Sequence, residues 1–416
     1  MKRREHLWER RVQLAAHPLA YPFITAVARR GPAVRVPGIG IVVGDPGLAR
    51  QVLLDHDGFR KDGPGSSGAL WTPVLGPAVL LNMEGEEHRR LRAALTGLFT
   101  RAQATELCTR VLAPVLREAT DRLAAGGAVD LVALTRAAAG TVIGELLGVS
   151  DTAGAEVFER GERIVRMVGL RTRELTPRQV AKAKAVLAGL VAQAGEAYDR
   201  AETGSMMGRL RAHGLDREQA LGLAAAFLLT GTETVATTVP RIFALWHDSG
   251  LLPALRADLE TGGAALDPAI DEAMRVITPS PAMLRRAARP GLLGTTEVRE
   301  GDRVLIATAR CDLAAGPFDR DAALGRCPAH DPKRLWFGAG PHYCIGAPLA
   351  LAEIRVLLQA LLTAGAGTIV RRRAKRRVLI PTYARLEVSA AQATAPQRRS
   401  DRKRRTDRTK TELTTS

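Results

Sequence analysis

Aromatic side chains are scarce in this chain, 4% of 416 residues, and so are cysteines, with Cys108, Cys311, Cys327 and Cys344 making up all four. Four thiols scattered over such a length form no disulfide framework, which sets aside a stapled secreted scaffold and fits a reducing compartment. Few aromatics together with abundant Ala, Leu and Arg favour a mostly helical protein, with short strands expected near Ala33 to Val43 and Val298 to Thr308. No apolar run approaches the roughly 18 to 20 residues that span a bilayer. The start, Met1-Lys2-Arg3-Arg4-Glu5-His6, is charged and is followed by no signal-like apolar core. The expectation is a cytoplasmic protein with no transmembrane segment. No internal repeat is visible.

Acidic residues are also in deficit: 43 Asp and Glu against 60 Lys and Arg leave a net charge of +17. Most of the excess falls between Arg371 and Ser416, where 15 Lys or Arg face 4 Asp or Glu. Beyond about Ser389 the composition shifts to Ala, Thr, Gln, Arg and Lys without hydrophobic periodicity, and residues 390–416 read as a disordered basic tail. Contact with an acidic protein or a membrane surface is the next reading of that tail. No aromatics are interleaved for base stacking, so no nucleic-acid partner is expected. The cluster Arg371 to Arg377 reads as a charged hairpin beside the fold.

Against these absences stands one conspicuous run, Phe337-Gly338-Ala339-Gly340-Pro341-His342-Tyr343-Cys344-Ile345-Gly346, which leads into an apolar helical stretch from Ala347 to Leu361. A cysteine just before a helix N-terminus meets free N–H groups and the positive end of the helix dipole, which favour its thiolate. Glycines without Cβ let the backbone approach a flat macrocycle, so the run suits a thiolate ligand to haem iron. Cys327, His330, His342 and Cys344 together also offer the ligand set of a structural zinc site. A free cysteine in a loop is the third reading, and it leaves the glycines and Phe337 unexplained.

Two helical segments upstream carry further chemistry. Asp216 and Gln219 form a capping-box-like start to a helix expected from about Asp216 to His247, uncharged from Leu221 to Leu229 and therefore crossing the core. It contains Thr230-Gly231-Thr232-Glu233-Thr234, whose hydroxyls can bond back to helix carbonyls. Glu272 and Arg275, in a helix starting near Asp267 and Pro268 and ending before Pro279, share one face and can form an ion pair.

The run from Phe337 to Gly346 matches every fixed position of the haem-binding signature of the cytochrome P450 superfamily, and the two upstream motifs stand in that family's order. The chain resembles this family from about Pro22 to Val388. The resemblance implies a mainly α fold: one large helical domain with small β-sheets, residues 21–389, preceded by an extension, residues 1–20. A haem b group, iron protoporphyrin IX, would lie between the long central helix and the helix after the cysteine. It implies Cys344 as the iron ligand, with Phe337, Gly338 and Gly346 shaping the loop, and Gly231 leaving room over the iron where the central helix bulges. Glu233 and Thr234 would relay protons to dioxygen. His88 and Arg92, matching a family H-x-x-x-R, would hold the haem propionates with Arg285 and His342, Arg286 being a register alternative to Arg285. Arg89 and Arg90 read as solvent-exposed. Glu272 and Arg275 would complete a buried triad with Arg326. The chain departs from the family at Thr230, at Arg310-Cys311-Asp312, and between Phe318 and Trp336.

The function so implied is a haem-thiolate monooxygenase, of soluble bacterial type, that hydroxylates or epoxidises a hydrophobic small molecule in secondary metabolism. Electrons would come ultimately from NAD(P)H through a ferredoxin and its reductase or a flavodoxin-like donor. Oxidative coupling, cyclisation or desaturation on the same haem is the neighbouring outcome; a haem-binding protein without turnover is the reading of another class. The substrate pocket would draw on Lys61 to Leu80, Arg163 to Thr176, Ala226 to Thr230, Ser280 to Leu284 and Pro381 to Tyr383, with Gly63, Gly65 and Gly68 in a mobile access loop.

Overall fold

The structure is a computed structural model and describes residues 7–64, 66–149, 152–168, 172, 174–201, 204–327 and 335–391. Gly65, His330, Arg334, Met1 to His6 and the basic tail beyond residue 391 lie outside the described residues. The chain opens with α1 (Leu7–Ala16), α2 (Ala20–Ala28), β1 (Ala33–Val36), β2 (Gly40–Val43), α3 (Pro46–Leu54), β3 (Phe59–Arg60), α4 (Ser67–Leu75) and α5 (Gly85–Thr96). Next come α6 (Arg101–Ala124), β4 (Ala128–Asp130), α7 (Leu131–Leu147), α8 (Gly154–Val165), α9 (Pro177–Asp199), α10 (Met206–Ala212), α11 (Arg217–Asp248), α12 (Leu252–Glu260) and α13 (Leu266–Ile277). The remainder holds β5 (Met283–Ala287), β6 (Gly291–Leu293), β7 (Thr296–Val298), β8 (Arg303–Ile306), α14 (Thr308–Asp312), α15 (Arg320–Ala323), α16 (Ala347–Thr363), β9 (Ala366–Ala374) and β10 (Tyr383–Ala390).

The expected central helix forms as α11, with the Asp216 side chain accepting from the Gln219 N–H and Gln219 answering in a full capping box. It stays helical through Pro240, whose missing N–H leaves the Ala236 carbonyl without its usual partner. The Thr135 hydroxyl of α7 lies 3.0 Å from that carbonyl and 2.8 Å from the Leu131 carbonyl of its own helix, so its one proton is shared between α7 and α11. Contrary to the sequence expectation, α11 does contain a stretch long and apolar enough to cross a membrane by length and composition. Its apolar faces are instead spent on α7, α8, α9, α13 and α16, which pack around it.

Strands are peripheral. One sheet has the order β1-β2-β8-β5-β3, with β2 and β8 parallel and the other pairs antiparallel; β4-β10-β9 form a second, and β6-β7 a hairpin. The expected strand near Ala33 to Val43 is that hairpin of β1 and β2. The one expected over Val298 to Thr308 is broken at Gly301, where φ is +85°, into β7 and β8. A period of two along β5 buries Arg285 and Ala287 and leaves Arg286 between them on the other face, which decides the arginine register.

Residues expected as an N-terminal extension are tied into the body. Glu9 of α1 pairs with the buried Arg241 of α11, and Val12 is fully buried. The Glu272–Arg275 pair is also buried, Nη2 to Oε1 at 2.6 Å, but its third partner is not Arg326. Arg275 donates to the carbonyls of Asp312, Gly316 and Pro317, and Glu272 accepts the Asp319 N–H at 2.8 Å. Arg326 is exposed beside Asp321. Both Glu272 oxygens accept from Arg275 and one also accepts the Asp319 N–H, so the carboxylate is satisfied without a second cation.

Candidate functional site

A cavity of about 670 Å³ lies between α11 and α16 and is closed by β5 and the segment from Lys61 to Leu81. Cys344, His342, His88, Arg92, Arg285, Phe337, Gly338, Gly346, Gly231, Glu233 and Thr234 all line it, so residues spread from 88 to 346 in the chain meet at one space.

At the cysteine, positive φ at Gly338 (+77°) and Gly340 (+65°) folds the loop so that the Cys344 N–H donates to the Phe337 carbonyl at 2.8 Å. A Cβ on Gly340 would meet the Leu53 carbonyl at 2.8 Å. Gly346 caps α16 in ordinary backbone conformation, and a Cβ there would meet nothing within 4 Å. It is the cavity that such a Cβ would begin to fill. The Cys344 side chain is exposed to this cavity. Burial within the fold pushes its thiol up, against the pull of the Gly346 and Ala347 N–H groups and of Lys61 and Arg92. The thiolate expected from the helix terminus alone is thus a thiol until a cation meets the sulfur.

One end of the cavity is cationic. Arg285 is buried and donates from Nη1 to the Leu284 carbonyl, and burial pushes its guanidinium down to about 10. Burial pushes the Lys61 ammonium down to about 7, with Arg285 adding to the effect. Arg92 is lowered by burial too, and neither Lys61, Arg92 nor Arg285 has an ion-pair partner among the described residues. Between them lies Glu84, whose Oε1 accepts the Lys61 backbone N–H at 2.6 Å and whose Oε2 faces His342 Nε2 at 2.8 Å. Burial holds His342 at about 4, so the ring is neutral at pH 7 and donates this proton to an ionised Glu84. His88, packed 4.3 Å from the His342 ring, is likewise lowered to about 4 by burial, and its buried Nε2 has no partner. Arg89 and Arg90 face solvent as expected, paired with Glu86.

The other end is acidic and hydroxylic. Glu233 is buried, its Oε2 has no partner, and burial pushes its carboxyl up to about 7, with Glu162 reinforcing and Lys375, Arg136 and Arg166 opposing. Thr230, Thr234 and Thr238, one turn apart, each donate back to a helix carbonyl, at 2.8, 3.3 and 2.6 Å. Despite these i to i−4 bonds, α11 is an uninterrupted α-helix from Arg217 to Asp248, so the bulge implied by the family resemblance is not formed. A Cβ on Gly231 would lie 2.5 Å from Ile143 Cδ1, so this glycine serves the α7–α11 crossing as well as the cavity.

Sequence reasoning gave no charged role to Lys61, Glu84 or Glu353: Lys61 and Glu353 line the cavity, and Glu84 stands behind His342. Glu353 alone left a signal, as a lone acid on the apolar face that Gly346, Leu349 and Ala350 begin. The zinc reading loses its ligands, since Cys344 faces the cavity and His342 faces Glu84. Among the described residues no group of three or more His, Cys, Asp or Glu could hold a metal ion. A flat group with two carboxylates fits better. The unpaired Lys61, Arg92 and Arg285 and the orphaned His88 nitrogen suit its acids, and Cys344 and bare Gly346 suit its metal and its face.

No protein-family model matches the chain. It is 30% identical over 380 residues to the cytochrome P450 monooxygenase PikC of Streptomyces venezuelae, covering 84% of each chain. It is 30% identical over 295 residues to the C-19 steroid 1alpha-hydroxylase of Sorangium cellulosum, covering 68% of this chain and 73% of that one. Identity to the mycinamicin IV hydroxylase/epoxidase of Micromonospora griseorubida is 28% over 84% of this chain and 91% of that one. Among solved structures, P450BioI with a ligated acyl carrier protein superposes with a TM-score of 0.76 at 18% identity, covering 91% of this chain and 99% of that one. A mutant of P450 EryK with erythromycin B does so with 0.74 at 21%, covering 92% and 99%.

Proposed function

That the chain belongs to the cytochrome P450 superfamily, as a monooxygenase, is the premise from which we propose that Cys344 ligates haem iron and that the cavity oxidises a hydrophobic natural product. The observation that carries this reading is the Cys344 side chain opening into a 670 Å³ cavity whose Lys61, Arg92 and Arg285 form no ion pair among the described residues. Haem, when bound, supplies iron that activates dioxygen with electron density pushed from the thiolate. Cys344 gives up its proton on ligation, because a metal cation outweighs the burial that raises the free thiol.

Lys61, Arg92 and Arg285 hold the propionates, with His88 Nε2 beside them. With Glu84 ionised and both histidines neutral, two guanidiniums and the Lys61 amine, which titrates near 7, meet Glu84 and the two propionates. His342 takes a different part from the one first expected of it. A neutral ring that donates its N–H to Glu84 has none left for a propionate, so it positions Glu84 and the cysteine loop instead. Glu233, at about 7, holds a proton half of the time at neutral pH and can both take and release it. Thr234 presents its hydroxyl one residue away.

Leu70, Trp71, Leu80, Val168 and Phe227 make much of the remaining wall apolar, with Ser66, Ser67, Thr172, Ser280 and Arg303 as polar members, which supports a mainly hydrophobic substrate. A steroid hydroxylase and a mycinamicin IV hydroxylase/epoxidase among the relatives support hydroxylation or epoxidation of a natural product in bacterial secondary metabolism. Electrons arrive in the cytoplasm from NAD(P)H through a ferredoxin and reductase or a flavodoxin-like protein, drawn by the chain's net positive charge. The test is the absorption spectrum of reduced protein under carbon monoxide beside Cys344→Ala. A strongly red-shifted Soret band lost in the variant is expected; a wild-type protein without that band ends the assignment.

A further inference from the structure

Glu84 stands at the N-cap of α5 yet makes no cap bond there. Its carboxylate turns inward instead. Oε1 accepts the Lys61 N–H at 2.6 Å, Oε2 accepts the His342 Nε2 proton at 2.8 Å, and both side chains of the Glu84–His342 pair are 2% exposed. Lys61 and Glu84 are also the two ends of the chain segment whose Leu70, Trp71 and Leu80 wall the cavity. One acid thus closes that segment at both ends and fixes the closure to the cysteine loop, two residues before Cys344.

We propose that Glu84 is a positioning residue with an electrical role: a fixed, buried negative charge, held behind His342, that lowers the reduction potential of the haem iron. The proposal rests on the haem-thiolate reading. The reaction concerned is a one-electron reduction, ferric iron to ferrous, with the electron supplied by the ferredoxin or flavodoxin-like donor; no bond forms or breaks at Glu84. A nearby anion opposes an added electron and nearby cations favour it, and in a desolvated site neither is well screened. Here the chain places a carboxylate of its own among Lys61, Arg92 and Arg285, beside those that a cofactor brings.

The neighbouring acids do not share this role. Asp62 is spent on Arg60, Nη2 to Oδ2 at 2.5 Å, and Glu86 faces outward to Arg89 and Arg90. Glu84 is ionised in place: burial opposes its charge, but the bonds from His342 and the Lys61 N–H outweigh it and hold the carboxyl below its usual range. The charge also reaches past its bonded partners, since burial lowers the Lys61 ammonium and the Arg285 guanidinium and Glu84 works against that lowering in both. A neutral amide could close the segment with similar bonds. What an amide cannot supply is the charge.

Spectroelectrochemical titration of the purified haem-loaded enzyme tests this, for wild type, Glu84→Gln and Glu84→Asp. Gln keeps the shape and an acceptor for the Lys61 N–H, and Asp keeps the charge. The expected result is a midpoint that rises in Glu84→Gln by about 59 mV, an about tenfold larger ferrous-to-ferric ratio at a fixed applied potential, and that stays near wild type in Glu84→Asp. A midpoint unchanged in Glu84→Gln, or moved as far in Glu84→Asp, overturns the proposal, because a merely structural contact responds to side-chain length rather than to charge. If the Gln variant does not hold haem, Glu84→Ser is measured in its place, a second neutral side chain that leaves room for water at the two N–H groups. Loss of haem from both neutral variants would assign Glu84 to building the site rather than to setting its potential, and also overturns the proposal. Failure of the haem-thiolate reading would show separately, as a missing red-shifted band in the carbon monoxide spectrum of the wild type.

Discussion

The two ends of the cavity are unbalanced in opposite senses. At one, Lys61, Arg92 and Arg285 crowd a single carboxylate, and burial lowers all three cations. At the other, Glu233 and Glu353 have no bonded cation, and burial raises both acids. The same desolvation acts on both, yet the remedies differ. A buried cation cluster is completed by an anion that comes to stay, on our proposal the carboxylates of haem, whereas a buried acid is completed by a proton, which can leave again. One end is built to hold and the other to exchange.

The largest break in this contrast should come from Glu233→Gln, which keeps shape and removes the exchangeable proton. Oxygen consumption should fall about 100-fold, while the carbon monoxide spectrum stays that of wild type. Arg285→Ala should do the reverse. Losing one charge-assisted bond of about 1.5 to 3 kcal/mol weakens haem binding roughly 10- to 100-fold, measured as haem transfer to apomyoglobin, with the rate per bound haem much less affected.

A pH series on thermal unfolding sharpens the comparison further. In the unfolded chain both acids titrate near 4.5, and in the folded chain near 7 and 8. Above pH 4.5 the unfolded state loses protons that the folded state keeps, so their contribution to stability is full below 4.5 and is lost as pH rises through 7 and 8. Each acid contributes a slope of about 1.4 kcal/mol per pH unit over its window, and the slope should flatten in Glu233→Gln and Glu353→Gln. The smallest effect belongs to Arg89→Ala, next to the cationic end but on the outer face of α5. Its pair with Glu86 is solvent-exposed and screened, so thermal unfolding and haem retention should stay close to wild type.

Much of this site was legible in the chain. The glycines at 338 and 340 sit where the backbone turns left-handed, the Asp216 cap opens α11 as expected, and the ion pair of Glu272 and Arg275 forms. Arg326 failed because a third partner for a buried guanidinium need not be a side chain at all. Carbonyls of the 312–317 turn serve, and no residue type announces them. Lys61 was hidden in a glycine-rich turn, and Glu84 looked like an ordinary helix start. Glu84 makes no cap bond to α5 and reaches across to His342, 258 residues away in sequence.

What the sequence determined by itself is local: a cysteine at the start of a helix, a capped helix carrying threonines one turn apart, and a strand with one arginine facing in. Each follows from bonding within a few residues and from the periods of helix and strand. Tertiary structure alone decided which of these groups carry protons and which wait for a partner. Ionisation answers to desolvation and to charges brought from far along the chain, so Glu353 is an acid, and Cys344 and His342 are held further from their charged forms than free side chains would be, because the fold encloses them.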